Sequence, residues 1–425
     1  MAIFVRLHEF QRRAAVFGLA LALALPACVI TSSSVTPTPT PTATRSIVQA
    51  APTPTPGPAT LTLWLPPQFS PKSDDPAAQT LARRLADFER AHNVRVTVRI
   101  KAAAGLGGLL DSLLGAFAVA PPALPDVVAL SADDLARAAR AGVLVPLDTL
   151  LPAEALVDTY PFAQTLSRVE GRWVGAPFAA DARVLVYDTG LYDTAPLRWA
   201  DVVTGTLIFP GGESDGLTLL SDYLALGGDL TDDTGQPALD AARLAQVFAQ
   251  LRALQEAERL SAAVLTYDDP TETWQMFRER RAALALTTAR WYLREADRMR
   301  RSAAALPPTA EGVPFTLAEG WSWAIVNRDA GRELPALLVQ ALIAPDALAE
   351  WTLAARWLPP RPSALAAWGD DPFVPLAATV LTHAQLRPPA EILTTFGPPL
   401  RSALSDVLGG RVTPETAAQQ VVGGR

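Results

Sequence analysis

Apolar and polar positions follow two different periods in turn along residues 61–141. Residues 61–65 (LTLWL), 94–100 (VRVTVRI) and 127–130 read as strands, whereas residues 79–91 and 132–141 carry apolar side chains at helical spacing. Strands that alternate with helices are typical of βαβ units, so we expect an α/β fold built on a largely parallel sheet. Functional side chains are then expected beyond the carboxyl ends of the strands.

The first residues have the layout of an export signal. Arg6, Arg12 and Arg13 precede an apolar run at residues 14–25, which leads into LPAC and the chain's only cysteine, Cys28. A small residue before that cysteine resembles the lipobox of bacterial lipoproteins, which implies cleavage before Cys28 and lipid attachment to it. An ordinary signal with an incidental cysteine and a short membrane anchor are the alternatives, but the apolar run is short for a membrane span.

Residues 34–58 consist mostly of proline and threonine and contain almost nothing to bury. Such composition favours an extended polyproline conformation, which advances about 3.1 Å per residue. We therefore assign residues 1–27 to a signal peptide and residues 28–58 to a tether. The folded body is expected outside the cytoplasm, held by its lipid at the outer face of the cell membrane.

The remaining chain, from about residue 59, is long enough for two domains or lobes. Apolar residues make up 49% and charged residues 19% of the sequence, which is typical of a globular protein. The formal charge is −7, and removing the charged residues of the signal (Arg6, Glu9, Arg12 and Arg13, net +2) leaves −9. An acidic chain is poorly suited to nucleic acid, because affinity there comes largely from neutralising phosphates.

Two loops resemble known ligand-binding motifs but lack the residue spacing that those motifs require. The loop at residues 105–108 (GLGG) has neither the third glycine of a dinucleotide fingerprint nor a Gly-Lys-Ser/Thr ending, so a helix-start loop is favoured. Asp229, Asp232 and Asp233 resemble half a calcium loop without its distal glutamate, which favours a polar turn. Asp269 precedes Pro270 as an N-cap would. We expect no cofactor and no metal.

Several segments in a fixed order carry a family resemblance. They are PDVVALSADDLARAARAGVLVPLD (125–148), GRWVGAPFAADARVLVYDTGLYD (171–193), PLRWADVV (196–203), TWQMFRERRAALALTTARW (273–291), GWSWAIVN (320–327) and LPPRPSAL (358–365). Together they resemble the extracellular solute-binding proteins of ATP-binding-cassette importers, of the maltose-binding-protein-like type. Asp188 and Arg280 stand where that pattern usually has asparagine and glycine.

The resemblance implies a two-lobed periplasmic-binding-protein-like α/β fold with a ligand cleft between the lobes and hinge crossings. We expect the crossings at residues 177–183, 307–317 and 358–362, where proline is frequent and the composition irregular. The lobes would then comprise residues 59–178 with 318–358, and 183–312 with 363–425. As a monomer, such a protein would capture a small-molecule solute, most readily a carbohydrate, by hinge closure and deliver it to ABC permease subunits.

A solute stabilises the closed form over the open form only if residues on both walls of the cleft contact it. The first lobe offers Trp64, Ser131, Asp133, Trp321 and Trp323, the second lobe offers Trp291, and Phe178 and Asp181 lie near the first crossing. Aromatic rings suit the apolar face of a sugar, and carboxylates accept hydrogen bonds from its hydroxyl groups.

Trp321 and Trp323 are two residues apart and so share one face of a strand, with Ser322 opposite. The alternative is that these tryptophans fill the core. Six others match motif or helix positions that are usually structural, and we expect them in the core: Trp173, Trp199, Trp274, Trp351, Trp357 and Trp368.

An enzyme is the rival class. Beyond the signal the chain has only His92 and His383, no G-x-S-x-G and no H-E-x-x-H. The residues that a hydrolytic triad or a catalytic zinc site requires are therefore missing from the sequence. A glycosidase that uses a carboxylate pair needs no histidine and stays open through Asp133, Asp181 or Glu213. A surface sensing or adhesion module that retains the fold also stays open. The identity of the solute is not encoded in any motif.

Overall fold

A computed structural model describes residues 59–328 and 331–424. Cys28, the signal peptide and the tether lie outside the described residues, so their assignments stay predictions. The described residues form eleven strands: β1 (Ala59–Leu65), β2 (Val94–Ile100), β3 (Val127–Ser131), β4 (Arg168–Val169), β5 (Arg172–Trp173), β6 (Ala176–Asp188), β7 (Leu207–Ile208), β8 (Leu284–Thr288), β9 (Ser302–Ala305), β10 (Thr316–Ile325) and β11 (Ala384–Leu386).

The same residues form fifteen α-helices, among them those predicted near residues 79–91 and 132–141. They are α1 (Pro76–His92), α2 (Leu109–Val119), α3 (Ala132–Arg140), α4 (Ala153–Val157), α5 (Pro161–Ser167), α6 (Leu217–Ala225), α7 (Ala241–Glu256), α8 (Pro270–Arg278), α9 (Ala289–Glu295), α10 (Glu333–Ile343), α11 (Pro345–Ala355), α12 (Pro362–Ala366), α13 (Val374–Thr382), α14 (Ala390–Leu408) and α15 (Pro414–Gly423).

The first three strands confirm the βαβ prediction. Strands β2, β1 and β3 are neighbours and parallel, and α1 connects β1 to β2. Helix α1 begins where the side chain of Asp75 accepts a hydrogen bond from the Ala77 N–H, and it ends at Asn93, which adopts a left-handed conformation. The cap explains why the helix stops one residue before β2.

The prediction of a largely parallel sheet is wrong, because the sheet is mixed. Its strand order is β2-β1-β3-β10-β6-β8-β7, and β10 runs antiparallel to both β3 and β6. The physical reason is the connectivity: β6 leaves the first three strands and β10 returns to them, so these two long strands run in opposite directions.

Strand β6 belongs to two sheet regions in succession. Residues 176–182 pair with β10, whereas residues 183–188 pair with β8 and β9. The first predicted crossing, residues 177–183, is therefore part of a continuous strand that passes from one sheet region to the other. Pro177 is tolerated because the register of β6 and β10 shifts there: Trp321 pairs with Ala179 but Ser322 with Pro177, which leaves Phe178 as an extra residue in a bulge.

All three predicted crossings meet side by side. Ala180 of β6 pairs with Gly320 of β10, and it exchanges two backbone hydrogen bonds, of 2.9 and 2.8 Å, with Leu358 in the third crossing. The second crossing leads into β10, where the Thr316 hydroxyl donates to the Arg183 carbonyl oxygen at 2.6 Å. The hydrogen-bonded junction places the charged side chains of β6 and β10 next to one another.

Apolar side chains pack on both sides of the junction. One extended cluster includes residues from β1, β6, β8 and the helices α7 and α14, while a smaller cluster surrounds Trp64 between β3, α2 and α3. Across the part of the chain that the structure describes, no single helix has the length and apolarity to cross a membrane. Helices α10 and α11 together are long and apolar enough, but the two are bent by 61° relative to each other.

Candidate ligand-binding site

A cavity of about 360 Å³, hereafter the central cavity, lies at the junction of the crossing segments. It receives residues from β6, β10, the loop after β7, the start of α8, the start of α9, and the segments around residues 357 and 387. Its charged and aromatic lining residues are Asp181, Arg183, Glu213, Asp215, Asp268, Asp269, Arg290, Trp291, Glu319, Trp357 and Arg387.

Two strands supply the charges at the centre of this cavity. Asp181 and Arg183 are two apart on β6 and therefore share a face, and Glu319 of β10 lies directly opposite Asp181 in the antiparallel register. Two carboxylates in cross-strand positions repel each other. Hydrogen-bond donors around Asp181 and the guanidinium of Arg387 beside Glu319 offset this repulsion.

Asp181 is 5% exposed, and that burial raises the pKa of its carboxyl to about 6. The negative charge of Glu319 adds to the increase. The Thr288 hydroxyl and the backbone N–H groups of Arg290 (3.0 Å) and Ala182 (2.9 Å) oppose it, since they donate hydrogen bonds to the carboxylate. Asp181 is thus a carboxylate held in place by backbone donors that titrates close to neutral pH.

Arg183 is held by the loop after β7. Its guanidinium forms an ion pair with Glu213 at 2.8 Å, and both side chains are largely buried. Glu213 also accepts a hydrogen bond from the Thr218 N–H at the start of α6. Burial alone would lower the pKa of Arg183, but the carboxylates of Glu213, Asp215 and Glu319 raise it above its usual value, so the arginine stays charged.

Arg387 bridges two carboxylates of the cavity wall. Its guanidinium lies 3.5 Å from Glu319 and 3.9 Å from Asp215. Three buried arginine nitrogens, Nη1 of Arg183, Nε of Arg290 and Nε of Arg387, have no hydrogen-bond partner among the described residues. Buried donors normally have partners, so these three are unsatisfied donors within residues that line the cavity.

Aromatic rings complete the lining. Trp291, on α9, is half-buried, while the Trp357 ring lies under the Arg290 guanidinium at 4.3 Å. A second cavity of about 130 Å³ shares Arg290 and Trp357 with the central cavity, and its other residues come from segments 67–78, 294 and 351–356. The two cavities together therefore contact segments assigned to both predicted lobes.

Of the eight predicted solute contacts, only Asp181 and Trp291 line the central cavity. Phe178 and Trp323 are 2% and 3% exposed, and their rings stack on each other at 4.1 Å. Trp321 does share their face, as predicted, but its ring packs edge-on against Phe69 at 5.3 Å. Phe178 also packs edge-on against Phe69, at 5.0 Å, so Phe69 links Trp321 to the stacked pair of Phe178 and Trp323.

The other three predicted contacts lie elsewhere. Trp64 is 3% exposed and belongs to the smaller apolar cluster, where the ammonium group of Lys101 lies 4.5 Å from the centre of its ring. Ser131 caps α3, with its hydroxyl accepting from the Asp134 N–H. Asp133 accepts from the Ala390 N–H at the start of α14 at 3.2 Å. Each side chain already has a structural contact away from the central cavity.

The arginines and most of the acidic residues of the cavity were missed from the sequence. Trp357 lies in the core, as predicted, with 5% exposure, and it also borders the cavity. A signal was present: Asp181, Arg183 and Glu319 each interrupt an otherwise apolar strand. Asp269 does cap α8, as predicted, by accepting from the N–H groups of Thr271 and Glu272. Within residues 59–328 and 331–424, no group of three or more His, Cys, Asp or Glu side chains is placed to hold a metal ion.

Structures of several binding proteins share this fold. The sugar-binding protein MalE from Xanthomonas citri is 20% identical, with a TM-score of 0.71 over 86% of this chain and 96% of that chain. The cyclic alpha-maltosyl-1,6-maltose binding protein from Arthrobacter globiformis is 17% identical, with a TM-score of 0.70 over 86% of this chain and 98% of that chain. The GacH receptor of Streptomyces glaucescens is 19% identical, with a TM-score of 0.64 over 86% and 97%.

These similarities confirm the two-lobed α/β fold predicted from the sequence motifs. A family model described as "Bacterial extracellular solute-binding protein" matches residues 83–375, which is more than half of the chain. The match spans both predicted lobes and most of the residues around the central cavity. The chain therefore belongs to the bacterial extracellular solute-binding proteins, the class to which its ordered motifs pointed.

Proposed function

We propose that this protein captures a carbohydrate in the central cavity and delivers it to an ABC permease. The observation that supports a carbohydrate most directly is the placement of Trp291 and Trp357 beside the carboxylate of Asp181 and the free donors of Arg183 and Arg387. A sugar ring presents an apolar face and a rim of hydroxyl groups, which matches that combination. Maltose and cyclic alpha-maltosyl-1,6-maltose are the ligands named for proteins of the same fold.

Hinge closure is the second part of the proposal. The lobes are residues 59–178 with 318–358, and residues 183–312 with 363–425, and the three hydrogen-bonded crossings act as the hinge. Support comes from the smaller cavity, in which Ser70 and Asp75 of the first lobe face Arg290 and Arg294 of the second. A solute that contacts both sides stabilises the closed form over the open form.

Screening melting temperature against a library of sugars and small solutes tests the ligand class. A solute at a hundred times its dissociation constant stabilises the folded state by about 2.7 kcal/mol. That stabilisation should fall by about 2 kcal/mol in Trp291→Ala and stay unchanged in Ser131→Ala, a matched change at a residue outside the central cavity. Stabilisation by amino acids or peptides and not by any sugar would contradict the carbohydrate proposal.

Small-angle scattering of the parent protein tests closure separately. Saturation with a sugar identified in the screen should reduce the radius of gyration. An unchanged radius with a tightly bound sugar would contradict hinge capture while leaving the sugar assignment intact.

The anchor and the permease partnership rest on the lipobox resemblance and the family. Replacing Cys28 with serine should release the protein from the membrane fraction or leave an unprocessed precursor. Retention of a mature-size Cys28→Ser protein in the membrane would contradict lipid anchoring. Uptake of the identified sugar, measured in cells with and without the protein, tests the delivery to a permease.

Glycoside hydrolysis is the rival to reversible binding. Among its three candidate carboxylates, Asp133 lies outside the central cavity and Glu213 is tied to Arg183, which leaves Asp181 with its raised pKa as the one acid of that kind. Incubation with the identified oligosaccharide should return it intact. Release of shorter sugars that is abolished in Asp181→Asn would favour the enzyme.

A further inference from the structure

A second large cavity, hereafter the arginine cavity, has a volume of about 560 Å³. Six arginines line it: Arg278, Arg280, Arg281, Arg298, Arg300 and Arg301. The cavity is formed by the end of β6, the residue before β7, the turn between α8 and β8, and the residues before β9. This concentration of positive charge stands out in a chain whose formal net charge is −7.

The arginine cavity lies at the opposite end of β8 from the central cavity. Ala282 and Ala283, just before β8, line the arginine cavity, whereas Thr288, the last residue of β8, lines the central cavity. Ala283 and Thr288 are five residues apart along this extended segment, which corresponds to about 17 Å at 3.4 Å per residue. The two cavities are therefore different sites.

Two of the six arginines are fixed by ion pairs. Arg278 donates to both carboxylate oxygens of Glu295 at 3.0 and 2.9 Å. The guanidinium of Arg301 lies 3.1 Å from Asp188 and occupies the space beside Gly190, where a Cβ would come within 1.7 Å of Nη2. The missing side chain of Gly190 thus allows Arg301 to lie across the rim of the cavity.

Three other arginines keep their charge uncompensated. The guanidinium groups of Arg280, Arg298 and Arg300 are exposed and make no ion pair or hydrogen bond with another residue in the described part of the chain. Arg281 has only a 3.8 Å contact to Glu279. Six guanidinium groups face the three carboxylates of Asp188, Glu279 and Glu295, and Asp297 is the next acid along the chain, so a positive excess remains.

Arg280 adds an observation from the backbone. Its φ is +58°, a left-handed conformation that is unfavourable for a residue with a long side chain and favourable for glycine. The turn between α8 and β8 requires this conformation, yet it carries an arginine. Retaining strain at such a position is consistent with a use for the side chain.

We infer that the arginine cavity binds a phosphate-bearing anion. Guanidinium groups form paired, charge-assisted hydrogen bonds with phosphate oxygens, and a phosphate monoester carries a charge of about −1.5 to −2 with three acceptor oxygens. A carboxylate supplies one charge and two oxygens, which would leave most of the local positive excess unmatched. The phosphate group belongs either to a soluble phosphate compound or to a lipid whose headgroup is a phosphate monoester, such as phosphatidate, and both present the same terminal phosphate oxygens.

Calorimetric titration of the full chain at low ionic strength distinguishes the two sources. Inorganic pyrophosphate represents a soluble phosphate compound, and phosphatidylcholine vesicles that contain phosphatidate represent a lipid headgroup with a terminal phosphate. At least one of them should bind with a saturable one-site isotherm. In the variant R280Q/R298Q/R300Q that affinity should fall at least tenfold, because the three uncompensated charges are gone.

The matched control is R95Q/R140Q/R401Q, which removes the same charge from three exposed arginines elsewhere. It should bind like the parent protein. Equal weakening in both triple variants would show general attraction by net charge and would overturn the inference. The inference would also be overturned if neither of the two probes bound to the parent protein. If R280Q/R298Q/R300Q fails to fold, R298Q/R300Q tests the same prediction without touching the strained turn.

Discussion

The aromatic cluster of Phe178, Trp321 and Trp323 and the charged centre of the central cavity occupy the same two strands but differ in packing. Phe178 and Trp323 stack on each other and are almost completely buried, while Trp321 is partly buried with its ring edge-on against Phe69. A few residues along, Asp181 and Glu319 lie opposite each other and border open volume. Flat apolar rings fill space against one another, whereas like charges keep neighbours apart until a counter-ion or ligand fits between them.

The comparison teaches which residues to trust as ligand contacts. In this protein the tryptophans of the apolar strands pack against other aromatic side chains, whereas the acidic and basic residues of those strands line the central cavity. The two tryptophans that do line the central cavity, Trp291 and Trp357, lie outside the strands, one in the first turn of α9 and the other directly before the third crossing. Variants on each side of the comparison should therefore have opposite effects on stability and affinity.

Truncating the aromatic side should have the largest effect. Phe178→Ala is expected to lower the free energy of unfolding by about 3–5 kcal/mol, because it removes a ring that is 2% exposed and stacked on Trp323. Phe178→Leu should cost less, since more of the volume is kept. Urea titration measures both, and an affinity loss without a stability loss would place Phe178 in the site.

Breaking the ion pair beneath the cavity should come next. Glu213→Gln removes the carboxylate charge that neutralises the buried guanidinium of Arg183 at 2.8 Å, and we expect a stability loss of about 3 kcal/mol. The double variant Arg183→Met/Glu213→Gln should recover part of that loss, because the uncompensated charge is gone. If the double variant were less stable than Glu213→Gln, the pair would not be the cause.

Removing a ring from the cavity should change affinity more than stability. Trp291→Ala is expected to weaken sugar binding by about 2 kcal/mol, since the half-buried indole is an aromatic anchor for the ligand. Trp321→Ala is the contrasting variant: it should lower the melting temperature and leave the affinity unchanged, because Trp321 packs on Phe69. The reverse result for the pair would exchange their roles.

The smallest effect should be the pH dependence carried by Asp181. Its pKa of about 6 in the folded protein exceeds the usual 3.8, so the folded state holds the proton more tightly and its contribution to stability is lost as pH rises from about 4 to 6. Sugar affinity should change in the opposite direction and fall about tenfold from pH 7 to pH 5, because the ionised carboxylate accepts the hydroxyl hydrogen bond.

Asp181→Asn should remove both trends. Melting temperature and sugar affinity measured across pH 4–7 on the parent and the variant provide the check. A variant that retains the pH dependence of affinity would assign it to another group, of which Glu319 is the nearest acid.

Residues 59–141 show how well local pattern predicts structure in this chain. The periods of apolar residues there predicted β1, α1, β2, β3 and α3 to within three residues at each end, because each of these elements buries one face against its immediate neighbours. Caps such as Asp75 and Asn93 act within one turn and can be read directly. The order of motifs likewise predicted the family, since it reflects the order of these locally determined elements.

The site could not be predicted in the same way, because its residues are brought together from segments far apart in sequence. Asp181, Glu213, Arg290, Glu319 and Arg387 meet only because β6 and β10 pair and the third crossing pairs with β6. The bulge at Phe178 depends on that same pairing, and it decides that an aromatic residue predicted to bind ligand instead packs in the core. The sequence by itself determined which segments are strands and helices and which family they build. Only the tertiary structure decided which charges face one another and which aromatic rings line the cavity. The physical reason is that contact between distant segments depends on strand register and not on the local period of apolar residues.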